Sequence, residues 1–409
     1  MKFCEPFKII SVIAAFMAAG PALPLAAQTV EKTFTLDEAV ITGLHNDQEY
    51  LALQEQVSFA QQRINEARAL VYPKIDFNAS ASRFNNEQPI VLSPSFNSIY
   101  LPPGSRDMYY TTRFSLWQYL YAGGKYTTNL RLAEINLSQA QSQADALRNK
   151  IVLEVKKSFY DCLFQHEKIN ACEKALAEAA APGEKNNAVR GRAVLFAYHL
   201  KKNILEAKHD YEKCRLEFLK TVGSELNAVV DLSEGETWVV GDYDLNKCLA
   251  RATQYRPELR QTQFEETIDS LRVNLSMMER YPTVTLGANY EWAGDNFPLN
   301  NKNWNATINF NVPIFDGWAS WARIKQRRNQ AREGKIRRAK IEDQIRFDVR
   351  EAYMDYTFWR DRMTEPLQAP AGQEPEEKLE AAIAALETRR NAIISTATLE
   401  WAIGGPFSK

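Results

Sequence analysis

The chain has 409 residues, and its 50 lysines and arginines against 51 aspartates and glutamates leave a formal net charge of −1. So even a balance gives no footing for a nucleic-acid partner, and the negative mean hydropathy describes a chain mostly in contact with water. The length allows a large core, yet the long apolar seams described below belong to one elongated body rather than two globules.

Residues 1–27 read as a secretory signal peptide. Lys2 and Lys8 precede an apolar run from Ile9 to Ala19, and Gly20-Pro-Ala-Leu-Pro-Leu-Ala-Ala27 then offers a cleavage site after Ala27. The run is too short to cross a bilayer as a helix. Cys4 lies ahead of it, not placed to become a lipidated N-terminus, and leaves with the signal. No other long apolar stretch follows, so any membrane-spanning character must reside in strands, which points to a bacterial outer membrane.

The mature chain contains one stretch twice. A shift of 209 positions lays Leu36 on Leu245 and Tyr72-Pro73 on Tyr281-Pro282, and a shift of 194 lays Val155 on Val349. The first repeat spans about 28–244 and the second about 245–409. In the first, Leu53, Val57, Ala60, Ile64, Ala67 and Val71 step by three and four, an apolar seam along a helix that Pro73 ends.

Past Pro73 the period changes to two. Strands are expected at about 74–84 and 108–118, and in the second repeat at about 283–292 and 304–313. One face carries Ile75, Phe77, Phe114, Leu116, Val284, Leu286, Ile308 and Phe310; the other carries Asp76, Asn78, Ser80, Ser82, Asn305, Thr307, Asn309 and Asn311. The alternation is open to two readings. It fits a soluble sandwich with one wet face, or strands crossing a bilayer, lipid on the apolar side and a water-filled lumen on the polar side. Four strands cannot close a barrel and an open edge is not tolerated in lipid, so in the second reading several chains contribute jointly. The segment from Asn85 to Asp107 is longer than its counterpart from Ala293 to Asn303, the asymmetry of outer-membrane barrel loops.

Long helices follow. Leu130, Ala133, Leu137, Ala140, Ala144, Leu147, Ile151 and Val155 step by three and four, and the helix is expected to reach about Ala181, before a turn at Pro182-Gly183. A return through Ala197, Ile204, Tyr211 and Phe218 completes a hairpin over about 125–223. Asp231 to Asp244 links the repeats, with Trp238-Val239-Val240 as a candidate short strand. The second hairpin, about 318–404, is interrupted by a proline-rich segment from Glu365 to Pro375 and is shorter. Val155 to Gly223 is 68 positions and Val349 to Gly404 is 55, a difference of 13.

This ordered set resembles the TolC-like outer-membrane efflux proteins. It comprises a signal peptide, Leu36-Asp-Glu-Ala39 opening a helix, Tyr-Pro before a strand hairpin, Tyr-Leu-Tyr-Ala-Gly-Gly or Pro-Ile-Phe-Asp-Gly after it, and Val349-Arg-Glu-Ala-Tyr353 on a long helix. The resemblance implies a mainly α fold with a membrane β part, in which three subunits of four strands close a twelve-stranded barrel above a periplasmic helical tunnel. It further implies an outer-membrane exit duct without enzymatic activity or cofactor, working with a periplasmic adaptor (membrane fusion) protein and an inner-membrane transporter. The hairpin tip near Arg190, Gly191, Arg192 and Ala193 is then the expected adaptor contact, or else a plain turn with solvated arginines. The competing class is a periplasmic coiled-coil structural or adaptor protein without a pore.

No other chemistry is legible. His45, His166, His199 and His209 lack metal-ligand spacing, and no phosphate loop, dinucleotide fingerprint or nucleophile elbow is present. Cys162 and Cys214 lie equally far from position 188, and an oxidising periplasm permits a disulfide between them, although helix spacing makes the geometry marginal. Aromatics near strand ends (Tyr72, Trp117, Tyr119, Tyr121, Tyr281, Trp292, Trp304 and Trp318) fit either interfacial girdles or packing on a tunnel.

Overall fold

The computed structural model describes residues 32–83, 90–92, 99–101, 108–179, 187–233, 241–295, 297–364 and 375–405. The chain begins with β1 (Lys32–Phe34), α1 (Leu36–Asn46), α2 (Gln48–Ala69) and β2 (Lys74–Arg83). A small pair, β3 (Ile90–Leu92) and β4 (Ile99–Leu101), precedes β5 (Met108–Tyr121). Then come α3 (Lys125–Ala179), α4 (Asn187–Val222) and β6 (Val230–Leu232), which pairs in parallel with β1. The second half runs α5 (Leu245–Tyr255), α6 (Pro257–Met278), β7 (Thr283–Gly294), β8 (Asn301–Asn311), α7 (Ala319–Thr364) and α8 (Pro375–Ala402). The duplicated helix, strand-hairpin, helix unit expected from the sequence is borne out.

Each repeat enters through a helix broken after three turns at the same place. Asp47 and Arg256, related by the 209 shift, are both extended (ψ 115° and 120°) between two helices. The new helix in the first repeat is capped by Asp47 Oδ1, which accepts from the Tyr50 amide at 2.7 Å; in the second, Pro257 occupies the first turn, where its missing N–H costs nothing. The apolar seam read from the sequence begins at Leu53, past the first break, so it did not reveal the break at Asp47. At the helix entrances Thr35 and Glu38 form a capping box, and Asp244 Oδ1 accepts from the Lys247 amide.

Two glycines seat the returning helices on these breaks. Gly223, past α4, has φ +67°, and an added Cβ would lie 2.7 Å from Asn46 Cβ; Gly404, past α8, has φ +86°, and an added Cβ would lie 2.9 Å from the Tyr255 carbonyl. Asn46 and Tyr255 are again related by 209. Asn46 Nδ2 donates to the carbonyls of Val222 and Gly223. In the second repeat Arg256, only 4% exposed, donates to Ala402 O at 3.1 Å, pairs with Glu258 and Asp348, and lies over the Trp401 ring. A buried guanidinium tolerates removal from water only with this many partners.

Two cores sit behind the joints and repeat each other. Ala39, Val155, Phe218 and Val222 are buried in one; Cys248, Val349, Leu399 and Ile403 hold the corresponding places in the other. Burying each of the larger side chains contributes on the order of 2 kcal/mol. A third cluster, around Cys172, Phe196, Leu200 and Leu379, joins α3, α4 and α8.

The helices form a single row that changes members along its length. Beside the sheet, neighbours run α2–α3–α6–α7; farther away they run α4–α3–α8–α7. Only α3 and α7 belong to both, 55 and 46 residues long, roughly 80 and 70 Å at 1.5 Å per residue. The second hairpin is shorter in each arm, 46 residues against 55 and 28 against 36. Those deficits of nine and eight residues are about 13 Å per arm.

Several expectations shift in detail. β5 runs on to Tyr121, past a register slip between Tyr119 and Tyr121, and β7 and β8 extend into the segment read as a loop from Ala293 to Asn303. Cross-strand pairing overrides the local turn signals there. Trp318 adopts φ 69° at the position where the first repeat has Gly124 (φ 83°), so the second copy retains the left-handed turn without the glycine. Cys162 and Cys214 are free thiols packed in the same core, so no disulfide links α3 to α4. The signal peptide, the turn at Pro182-Gly183, the candidate strand Trp238-Val239-Val240 and most of the proline-rich segment lie outside the described residues.

Gly404→Ala is expected to cost about 2 kcal/mol or more through the φ penalty plus the clash with Tyr255, whereas Gly317→Ala, at φ +66° with nothing within 4 Å, pays only the backbone term. Thermal unfolding by circular dichroism should rank the two in that order. Cys162, Cys172 and Cys248 are buried, and burial together with Asp244 pushes the Cys248 thiol up to about 11. A raised value means less thiolate at pH 8, so maleimide should leave these three unlabelled in the folded protein and label them all after denaturation, with mass spectrometry as the readout.

Candidate functional site: a two-faced sheet with open edges

The large sheet has the order β2-β5-β7-β8, every neighbouring pair antiparallel. Its register turns four separate sequence patterns into two continuous surfaces. Asp76, Ser115, Asn289 and Asn305 lie directly across from one another in succession, as do Asn78, Arg113, Glu291 and Asn303. Ser80 pairs with Thr111, hydroxyl to hydroxyl at 2.6 Å, and Ser82 with Tyr109. Thr307, Asn309 and Asn311 face Gly287, Thr285 and Thr283 on this same polar side. A one-residue slip in any strand would interrupt it.

The other surface is apolar. Ile75, Leu116, Ala288 and Ala306 form one cross-strand row, and Phe77, Phe114, Tyr290 and Trp304 the next; Leu286 pairs with Ile308 and Val284 with Phe310. Phe77 and Phe114 are in ring contact at 4.9 Å, Tyr290 and Trp292 at 4.4 Å. Ile75, Phe77, Phe114, Ile308 and Phe310 are all exposed, the last two by 67% and 68%. A large, continuous exposed apolar face of this kind marks a surface that meets something apolar. Of the aromatics named from the sequence, Tyr121, Trp292 and Trp304 share this face, while Trp117 and Tyr119 fall on the polar side as an edge-to-face pair at 5.1 Å.

Arg113 and Glu291 were not picked out as a pair from the sequence, although their parity put both on the polar side. Arg113 Nε donates to Glu291 Oε2 at 2.7 Å and its Nη2 lies 2.6 Å from the same oxygen, with Glu291 3% exposed. Nothing in a single strand signalled this contact, because it joins β5 to β7 across 178 positions.

The sheet ends in two unpaired edges, β2 and β8, and the helical rows end in step with it. α2 and α7 flank the sheet-side row, α4 and α7 the distal one. α7 buries Ile324, Gly334, Ile345, Val349, Ala352 and Tyr356 towards the row. On its opposite side Ile336, Phe347 and Met354 are exposed by 72%, 59% and 69%; Ile336 and Met354 lie in line, five turns apart at 100° per residue. α4 likewise leaves Tyr198 and Leu205, seven residues apart, exposed by 67% and 70% while burying Leu200, Ile204 and Ala207. The molecule therefore presents an apolar seam at each side of its helical wall. Arg190, Gly191, Arg192 and Ala193 lie in the first two turns of α4. Among the described residues no group of side chains has the makings of a metal site, and no helix is long and apolar enough to cross a membrane.

Residues 43–183 match the family model described as "Outer membrane efflux protein". No curated protein matches the chain. Among solved structures, a membrane protein from Pseudomonas aeruginosa superimposes with TM-score 0.74 at 14% identity, covering 90% of each chain. The outer membrane protein VceC from Vibrio cholerae gives 0.67 at 15%, over 91% of this chain and 97% of that one. The MtrE outer membrane channel of Neisseria gonorrhoeae, in its open state, gives 0.68 at 13%, over 90% and 89%. The resemblance to TolC-like outer-membrane efflux proteins is borne out by this match and this fold. The family-model match covers residues 43–183, and the solved structures share the fold over about nine-tenths of the chain.

If the two seams seal a ring of subunits, placing charge in one of them should open it. Phe347→Glu with Met354→Glu is expected to shift the detergent-solubilised protein to monomers, read by native mass spectrometry, with helical content retained. An unchanged oligomer would show that this side of α7 faces solvent.

Proposed function

We propose that this chain is one subunit of a homotrimeric exit duct in the bacterial outer membrane. The duct carries substrate passively from a periplasmic adaptor and an inner-membrane transporter to the exterior. The observation that carries this reading is a four-stranded antiparallel sheet with one continuous polar face, one continuous apolar face and two unpaired edges. In hydrocarbon every backbone N–H and C=O must be paired, so β8 of one subunit has to meet β2 of the next. Four alternating strands per chain keep that junction antiparallel. Two subunits would give eight strands, an interior just filled by side chains; three give twelve and leave a channel.

In this arrangement Asp76, Asn78, Ser80, Ser82, Asn305, Thr307, Asn309 and Asn311 line the lumen with the Arg113–Glu291 pair. Ile75, Phe77, Phe114, Leu116, Val284, Leu286, Ile308 and Phe310 face lipid. The α7 seam packs on α2 and α4 of the neighbouring subunit and so continues the barrel junction down the tunnel wall. Residues 1–27 are removed on export, and 28–244 and 245–409 act as the two repeats of the wall. The α3–α4 tip, with Arg190, Gly191, Arg192 and Ala193, is where the adaptor docks, and docking opens the periplasmic end. A pore-free periplasmic coiled-coil protein is the poorer reading, since it leaves the exposed apolar sheet face and both strand edges without a role.

The test is single-channel conductance of the mature protein in a planar bilayer, paired with its subunit count by native mass spectrometry. Discrete conductance from a trimer is the expected result. A detergent-independent monomer without conductance would move the chain to the pore-free class. Glu291→Gln in a conducting trimer should reduce preference for cations over anions, measured as a shift in reversal potential under a salt gradient, because it removes a carboxylate from each of the lumen's subunits.

A further inference from the structure

The first half of α7 carries charge that the duct reading does not use. From Arg323 to Lys340 it holds nine lysines and arginines and a single acid, Glu333. Most surface helices intersperse the two signs, because like charges at i, i+4 repel. Part of the excess is answered by α6: Arg323 pairs with Glu279, Arg337 with Glu265, and Arg338 with Glu266. Another part is not.

A groove runs between α6 and α7, lined by Glu266, Ser270 and Asn274 on one wall and by Arg328, Arg332 and Lys335 on the other. The three cations follow at i, i+4 and i+7, so they stack on one flank of α7, between the side packed on α6 and the exposed seam of Ile336 and Met354. Glu266 is the one carboxylate in the lining, and it is already engaged by Arg338 at 2.9 Å and by Lys335 at 3.9 Å. Arg332 spends one nitrogen on Asn329 Oδ1 of its own helix. Arg328 has no acidic partner among the described residues. The lining thus keeps a surplus of two positive charges in a concave place, where field lines concentrate.

We propose that this groove is an anion-binding site for a phosphate ester. Two guanidinium forks and an ammonium match an anion with several oxygens and two charges, and Asn274 adds an uncharged amide at the rim. A single carboxylate would satisfy only one fork. The chemistry is shared by two sources, the phosphorylated headgroup of a phospholipid in the membrane leaflet that faces the periplasm and a soluble phosphate compound. The groove lies in the part of α7 that follows directly from β8, beside the sheet.

The test uses the full mature protein in detergent and native mass spectrometry, with inorganic pyrophosphate as one probe and micelle-embedded phosphatidic acid as the other. The variants are Arg328→Gln with Arg332→Gln, Arg328→Lys with Arg332→Lys, and Arg350→Gln as a cation of α7 outside the groove. Expected is an adduct on the unaltered protein that weakens at least tenfold in the double glutamine variant, survives in the lysine variant and in Arg350→Gln, and falls off with rising salt. Retention of phosphatidic acid alone assigns the headgroup; retention of pyrophosphate as well assigns soluble phosphates. Equal retention by the unaltered and double glutamine proteins, or no adduct with either probe, overturns the site. So does a double glutamine variant that loses its oligomeric state without any adduct having been seen on the unaltered protein, for then a neighbouring subunit's carboxylate fills the groove. Should that variant fail to fold, Lys335→Gln read against Arg350→Gln decides the same question.

Discussion

Unpaired backbone at the two sides of a four-stranded sheet is the constraint on which the rest of this molecule depends. In water, the edges of β2 and β8 would be an aggregation hazard to be blunted by charge or proline. Here β2 has Ile75 and Phe77 exposed, β8 has Ile308 and Phe310, and neither strand contains a proline. Such edges call for another strand to cover them, and in the proposed duct a second copy supplies one with the correct polarity because the chain contributes an even number of alternating strands. The helical wall obeys the same boundary. α7 follows β8, α2 precedes β2, and both end the row beside the sheet, so whatever closes the strands also closes the helices.

A wall of this length needs joints that hold its pieces in line. Two helices, α3 and α7, run its whole extent, and the others are halves that must meet end to end. The breaks at Asp47 and Arg256 and the left-handed glycines Gly223 and Gly404 perform that join. Backbone approaches side chain or carbonyl so closely that a methyl group would not fit. The two repeats solve the same problem with different chemistry: Asn46 reaches the end of α4 with its amide, while buried Arg256 holds the end of α8 with a guanidinium and two carboxylates. Conserving the geometry while changing the chemistry is possible because only the spacing between helix ends is constrained, not the group that spans it.

The polar and apolar faces of the sheet have a comparable relation to chemistry. A period of two guarantees segregation within a strand, and register extends it across four. In the Arg113–Glu291 pair on the polar face, Glu291 is buried while the Arg113 side chain stays partly exposed. The pair joins the strand that ends the first repeat's hairpin to the one that begins the second, so the halves of the sheet are tied by charge as well as by backbone. In the proposed trimer, the unequal helical hairpins, about 13 Å different in each arm, would give three long hairpins and three short ones, a three-fold rather than a six-fold end.

The duplication, the strand alternation and the long helices follow from local order alone. Periodicity is a property of consecutive side chains, and a proline or glycine interrupts it wherever the chain is cut. The sequence by itself therefore determined the four long strands and the long helices in outline, which face of each strand is apolar, and that the second hairpin is short. It did not reveal the break at Asp47, which lies ahead of the seam and has no proline beside it, nor the left-handed turn at Trp318, where a bulky residue stands in a glycine's place. It left open the pairing of Cys162 with Cys214, which only helix geometry could refuse. Contacts across many residues were out of reach as well: the bond from Arg113 to Glu291, the basic groove between α6 and α7, and the order of strands and helices that puts β2, β8, α2 and α7 at the open sides. Those depend on which elements lie next to one another, and neighbours in space are fixed by the joint burial of many side chains rather than by the order of any few.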